Sequence, residues 1–301
     1  MAQTVIDWPV DPVNRDMASR CWEAELRLGF VTRGDKTVLK DRTHKGPLAV
    51  QRSLYPEGGV CHTHLLHPPG GVVGGDSLDV TVGLANGAQA LITAPGATRF
   101  YRSDGRVGSL KQTLTVDQHA RLEWLPLENI AFPNARVFTR THISLTAQSQ
   151  FIGWDVWTLG QPATHTPFEN GVIDGMTTVT VDDRLILCER LRVNPEQSRF
   201  PAAGLRSLPV CGTLIAHGDA EILAALLKQW WGEHKQQGIT RAELSQVAEI
   251  ELGITQIDGV LIVRALGQKT DALFQIFALC WQQIRQHWTG EMPDIPRIWR
   301  T

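Results

Sequence analysis

The sequence predicts a mainly β fold, a β-helix-like body of stacked sheet with a few C-terminal α-helices packed on it. Three observations predict it. Apolar residues alternate with polar or small ones through the first two thirds, a strand–turn–strand unit recurs at roughly 30 residues, and the last third switches to helical spacing.

In the first repeat, Leu78, Val80, Val82 and Leu84 alternate along a strand. Asn86-Gly87 then offers a tight turn, because both residues tolerate positive φ. A second strand runs into Leu91 and Ile92 and stops at Pro95. The segment Gly87–Pro95 aligns with Gln118–Pro126, and that with Ala147–Asp155, at offsets of 31 and 29 residues. The alternating strands before each copy carry Val82/Leu84, Leu114/Val116 and Ile143/Leu145, and Leu91, Leu122 and Phe151 share one column. Such a unit cannot bury its apolar face alone, so successive copies are expected to stack.

From Asp219 a capped helix is expected, with Leu223, Leu226, Leu227, Trp230 and Trp231 on one stripe. Thr240 and Glu243 have the spacing of a capping box for a second short helix. Asp258-Gly259 turns into the buried strand Val260–Val263, and a last helix from Asp271 carries Leu273, Phe277, Cys280, Trp281, Ile284 and Trp288.

Composition excludes several function classes. The 29 Lys and Arg against 31 Asp and Glu leave a net charge of −2, so no nucleic-acid-binding excess of basic charge exists. The uncharged run Val80–Thr98 is broken by Asn86-Gly87 and Pro95, which argues against a membrane span. The stretch Met1–Asn14 lacks the basic-then-apolar order of a secretion signal. Cys21, Cys61, Cys188, Cys211 and Cys280 are odd in number, widely spaced and without a CxxC pair, which fits a reducing cytoplasm.

The densest chemical segment is Cys61-His62-Thr63-His64 through His67-Pro68-Pro69-Gly70-Gly71 to Gly74-Gly75-Asp76. On a strand His62 and His64 share a face, and imidazoles with a carboxylate suit zinc or nickel. A stable catalytic site needs a third ligand, from His67 or Asp76. The plainer reading makes the histidines half-exposed strand residues, the glycines sites of tight turning, and Asp76 an acceptor of backbone hydrogen bonds. Among strand carboxylates, Glu123, Glu128, Asp155 and Glu189, the last would pair with Arg190 or Arg192, or else line a polar channel. The Trp154/Trp157 and Trp230/Trp231 pairs read as core. A Gly-x-Ser-x-Gly or His-Glu-x-x-His signature is absent from the sequence.

Several of these segments together resemble the urease accessory protein UreD family, called UreH in some organisms. They are Gln51-Arg52 with Tyr55-Pro56-Glu57, Leu65 to Asp76, Thr93 to Ser103, Leu122 to Pro126, Phe151 to Asp155 and Pro296 to Trp299. The resemblance begins near Trp22, leaving about 1–20 as a poorly matched extension of a single domain over 1–301, with about 205–301 a mixed α/β part. It implies a β-helix-like body and a scaffold in urease maturation that is not itself an enzyme. Such a scaffold binds the urease structural subunits and UreF, and through UreF the nickel-carrying GTPase UreG. Nickel(II) would pass transiently, with no tightly bound cofactor, and Asp76 and Glu189 match family tunnel residues; His62 and His67 are further candidate ligands. One departure is Gln161, in Leu159-Gly160-Gln161-Pro162, where the family commonly has arginine. Two other readings remain open at this point. One is a metal-dependent hydrolase built on His62, His64 and Asp76; the other is a β-solenoid adaptor with no metal role.

Overall fold

The computed structural model describes residues 21–194, 204–236 and 250–300. The expected extension 1–20 and the Thr240/Glu243 capping box lie outside them. Two large sheets face each other. The first has seven strands. Its middle is a parallel ladder of β1 (Glu23–Arg33), β5 (Ser77–Leu84), β8 (Gly108–Val116), β11 (Arg136–Leu145) and β13 (Val172–Val181). Antiparallel hairpins finish both sides, with β2 (Lys36–Lys45) beside β1 and β14 (Arg184–Val193) beside β13.

The second sheet stacks β4 (Cys61–Leu66), β6 (Gln89–Thr93), β9 (Arg121–Leu125) and β12 (Gln150–Leu159) in parallel, with the short β3 (Ala49–Val50) antiparallel beside β4. It continues antiparallel through β15 (Val210–His217) and β17 (Val260–Gly267) to β16 (Glu251–Ile257). A short third ladder joins β7 (Thr98–Phe100), β10 (Asn129–Ala131) and the end of β12.

Each repeat therefore turns a corner between sheets; it is not a hairpin, since β5 pairs with β8 and β6 with β9. The corners stack through their backbones. Gly87 N–H donates to Gln118 O and His119 N–H to Gln148 O, with φ of 71° at Gly87 and 58° at His119. The first-sheet alignment holds as expected: Val82, Leu114 and Ile143 are neighbours, as are Leu84, Val116 and Leu145.

The second-sheet alignment is corrected by one residue in its first step. Leu122 does pair with Phe151, but Leu91 pairs with Glu123, and Ala90 is the neighbour of Leu122. A one-residue slip reverses every side chain. Ala90, Leu122 and Phe151 fill the core between the sheets, whereas Leu91 and Ile152 lie in the separate core beneath the helices. Strand alternation supplies both cores from one segment, which is why the apolar run Leu91-Ile92 has no exposed face.

Helices α1 (Ala220–Gln236) and α2 (Thr270–Thr289) cover the outer face of the second sheet. Leu223 and Leu227 of α1, and Leu273, Phe277, Cys280, Trp281 and Ile284 of α2, are buried there as their spacing predicts. Asp219 has a φ of 58°, and its carboxylate lies 3.3 Å from His287 of α2. Trp154 and Trp157 are core residues, and Trp230 and Trp231 pack at its margin. None of the five cysteines is in a disulfide. Among the described residues no helix is long and apolar enough to cross a membrane.

Candidate functional site

Between the sheets, toward the β14 and β16 side, lies a cavity of about 650 Å³. Glu189 faces it from β14 and Asp155 from β12, with Thr141, Thr177, Thr213 and Gln112 adding polar groups. The expectation that Glu189 pairs with Arg190 or Arg192 is corrected. Neighbours along a strand leave on opposite faces or sides, and Arg190 goes to Asp174 at 2.7 Å. The partner of Glu189 is Arg264 of β17, bound through two parallel contacts of 2.8 and 2.5 Å. This pair joins the two sheets. Arg184–Asp258, at 2.5 Å, also joins β14 to the β16–β17 turn, and Arg206 pairs with Glu251 at the same side.

Asp155 is at the inner wall. It accepts hydrogen bonds from Asn129 Nδ2 and Trp157 Nε1, both at 2.8 Å. Burial pushes its carboxyl above the usual carboxylate range, against the opposing pull of those donors. Burial also pushes the Cys211 thiol up to about 12, with the charge of Asp155 adding to the effect. Cys211 is thus a neutral wall residue rather than a thiolate ligand.

The histidine cluster lies elsewhere. Cys61 packs in the core between the sheets, so the alternating His62 and His64 point to the opposite face of β4, where both are buried and not half-exposed as the plainer reading expects. His62 Nε2 is 2.9 Å from Glu57, and His64 Nδ1 is 3.0 Å from Gln51 Oε1. Glu57 also meets Arg285 of α2, which pairs in turn with Glu123. Glu123 is wholly buried on β9 and accepts from Trp281 Nε1 at 2.7 Å and Arg121 Nε at 3.2 Å. This charged network, which the sequence pattern did not reveal, fastens α2 to the stacked body. Its signal was present only as Arg121 and Glu123, two opposite charges two residues apart in the short strand β9.

Asp76 is buried at the end of the glycine-rich loop. One carboxylate oxygen accepts Trp22 N–H at 2.8 Å and the other Val73 N–H at 3.0 Å. The glycines allow close approach: a Cβ on Gly71 would lie 2.3 Å from the Tyr101 ring, and one on Gly75 2.5 Å from Cys21 Sγ. His67 Nε2 is buried without a hydrogen-bond partner, and the charge of Asp76 acts on its ring. Burial nevertheless lowers the His67 pKa, outweighing the pull of Asp76. The structure does not bring Asp76 or His67 to the wall that holds Glu189. Among the described residues no three His, Cys, Asp or Glu side chains are arranged to hold a metal ion, so His62, His64 and Asp76 do not form the ligand set of a hydrolase.

The UreD urease accessory protein family profile matches residues 23–300. A urease accessory protein UreD of Vibrio parahaemolyticus is 45% identical over 288 residues, covering 95% of this chain and 99% of that protein. Those of Aliivibrio fischeri strain MJ11 and Escherichia coli are each 42% identical, covering 94% and 95% of this chain and 98% and 99% of the relatives. With the profile spanning both sheets and both helices, the chain belongs to the UreD urease accessory protein family, whose members are accessory proteins rather than enzymes.

Proposed function

We propose that this protein is a scaffold and nickel conduit in urease maturation. It would bind the urease apoprotein and UreF, so that nickel carried by UreG reaches the urease active site. The observation that carries the reading is the cavity between the sheets, whose wall is mixed apolar and polar and carries Glu189 and Asp155. Glu189 is engaged by Arg264 and Asp155 by two neutral donors. A divalent cation meeting such groups displaces or shares existing partners and is held weakly. That suits passage, whereas a closed ligand set would retain the ion.

Nickel is cargo in this reading, and no resident cofactor is invoked. Glu189 is the carboxylate proposed to touch it. Asp76 and His67 lie outside the cavity wall, and His62 is occupied by Glu57. A cytoplasmic location belongs to the same proposal.

The test is co-expression of the urease structural subunits with UreF, UreG, UreE and nickel, with and without this chain. Ureolysis and protein-bound nickel are then measured. Activity and nickel content that depend on the chain support the role. Fully loaded, active urease in its absence overturns it.

A further inference from the structure

The parallel strands β1, β5, β8 and β11 all begin at one rim of the first sheet. At that rim stand Trp22, just before β1, Val73 in the glycine-rich loop before β5, and Val107, just before β8. Their exposures are 50%, 41% and 37%, high for large apolar side chains. Single exposed apolar residues need no explanation, but a group at one rim does.

These residues are held in place. The two oxygens of Asp76 take the backbone N–H groups of Trp22 and Val73, tying two distant segments to one carboxylate. Gly75 N–H donates to Val107 O, which fixes the third.

Charge around them is mixed, with Glu23 paired to Lys45 and Asp104 to Arg106, and among the described residues two arginines stand there without a carboxylate partner. Val73 shares a concavity with Arg102, Tyr101, Phe132, Asn134 and Gln161. Its floor is an aromatic pair, Tyr101 and Phe132, with ring centroids 5.1 Å apart. Arg136, at the start of β11, borders Val107. Arg102 and Arg136 are exposed and have no carboxylate within ion-pair distance among the described residues, whereas Arg106 is already satisfied by Asp104 at 2.7 Å.

We propose that this rim is a docking surface for a protein segment carrying acidic side chains beside an apolar anchor. The anchor packs on Trp22, Val73 and Val107, and the carboxylates meet Arg102 and Arg136. Asp76 acts here as the positioning residue that presents Trp22 and Val73. Aromatic and arginine side chains are the types that dominate binding surfaces, and opposite charge speeds and directs the encounter. The surface is separate from the cavity, so its existence does not depend on the conduit.

The full chain is panned against a phage-displayed random heptapeptide library, and selected peptides are resynthesised for fluorescence titration. The expected peptides are rich in Asp or Glu next to a large apolar residue and weaken with salt. Trp22→Ala reduces their affinity about thirtyfold, and Arg102→Glu about tenfold or more. Arg102→Lys retains most of it, and Gln161→Arg, which adds a cation to the concavity, increases it. Circular dichroism melts confirm that each variant is folded. Selected peptides without acidic enrichment, or acidic peptides indifferent to both Trp22 and Arg102, overturn the proposal. So does preferential binding to phosphatidylserine vesicles, which would make the rim a lipid-binding surface. A parallel pull-down with urease subunits and UreF separates the two readings. Failure of urease activation with acidic-peptide binding intact removes the maturation role and leaves the docking surface standing.

Discussion

Glu123 and Arg285 are 162 residues apart in sequence and form an ion pair in the buried seam between β9 and α2. Glu123 gathers three donors, from Arg285, Arg121 and Trp281, so its desolvated charge is fully engaged. Removing one partner would strand the others. Glu123→Ala is expected to cost about 3–5 kcal/mol, the usual scale for breaking a buried pair from one side. Urea unfolding of the purified variant checks this, and a loss within the range of ordinary surface substitutions would show the network to be dispensable.

Glu57 gives this seam a pH dependence. Burial alone would raise its pKa, but the His62 hydrogen bond and the Arg285 charge outweigh it and hold the carboxyl below its ordinary 4.5. A carboxylate depressed on folding contributes stability that is fully present above 4.5 and lost as pH falls through the lower folded value. Thermal melts from neutral pH into the acid range should show a decline that is shallower in Glu57→Gln. Parallel curves for the two proteins would remove Glu57 from the account.

Glu189→Ala is expected to leave the protein folded and to lower urease activation at least about tenfold, since it removes the carboxylate proposed to meet nickel and the loss of a mere supporting group already costs about that much. Glu189→Gln separates charge from shape, because it preserves a hydrogen-bond acceptor toward Arg264 while losing the negative charge. Equal activation by wild type and both variants would exclude Glu189 from the passage.

Asp76→Ala leaves the N–H groups of Trp22 and Val73 without their acceptor. The expected loss is about 1–3 kcal/mol of stability. Partner binding should fall with it, at nickel concentrations that saturate transport. If excess nickel instead restores full activation, Asp76 serves the metal rather than the loop.

The stacked body was legible because strand alternation is a local signal. Leu78 to Leu84 show every second residue buried, and their lateral neighbours were identified without error. The column through Leu91 slipped because Gln89–Thr93 is apolar toward both cores, so no polar face marked the register. At the candidate site, the strand pattern offered Glu189 as one of four carboxylates and the family resemblance singled it out, but neither identified its partner. Arg264 belongs to a strand 75 residues away, and pairing at that separation leaves no trace in local spacing. The histidines misled for a related reason. His62 and His64 do share a face, yet what that face meets, Glu57 and Gln51, comes from the segment preceding the strand.

The two hairpins that finish the seven-stranded sheet also bear on self-association. A parallel stack of this kind has open backbone groups on its last strands and could in principle recruit another copy edge to edge. Here the outermost strands are β2, with Lys36, Lys40, Arg42 and Lys45, and β14, with Arg184, Arg190 and Arg192. Lys45, Arg184 and Arg190 are paired with Glu23, Asp258 and Asp174, which leaves Lys36, Lys40, Arg42 and Arg192 as the edge cations among the described residues, and charge on an edge strand is a recurrent barrier to edge-to-edge pairing. The repeat is thereby closed at a fixed number of coils, and the same fold that could have grown into a filament is kept finite.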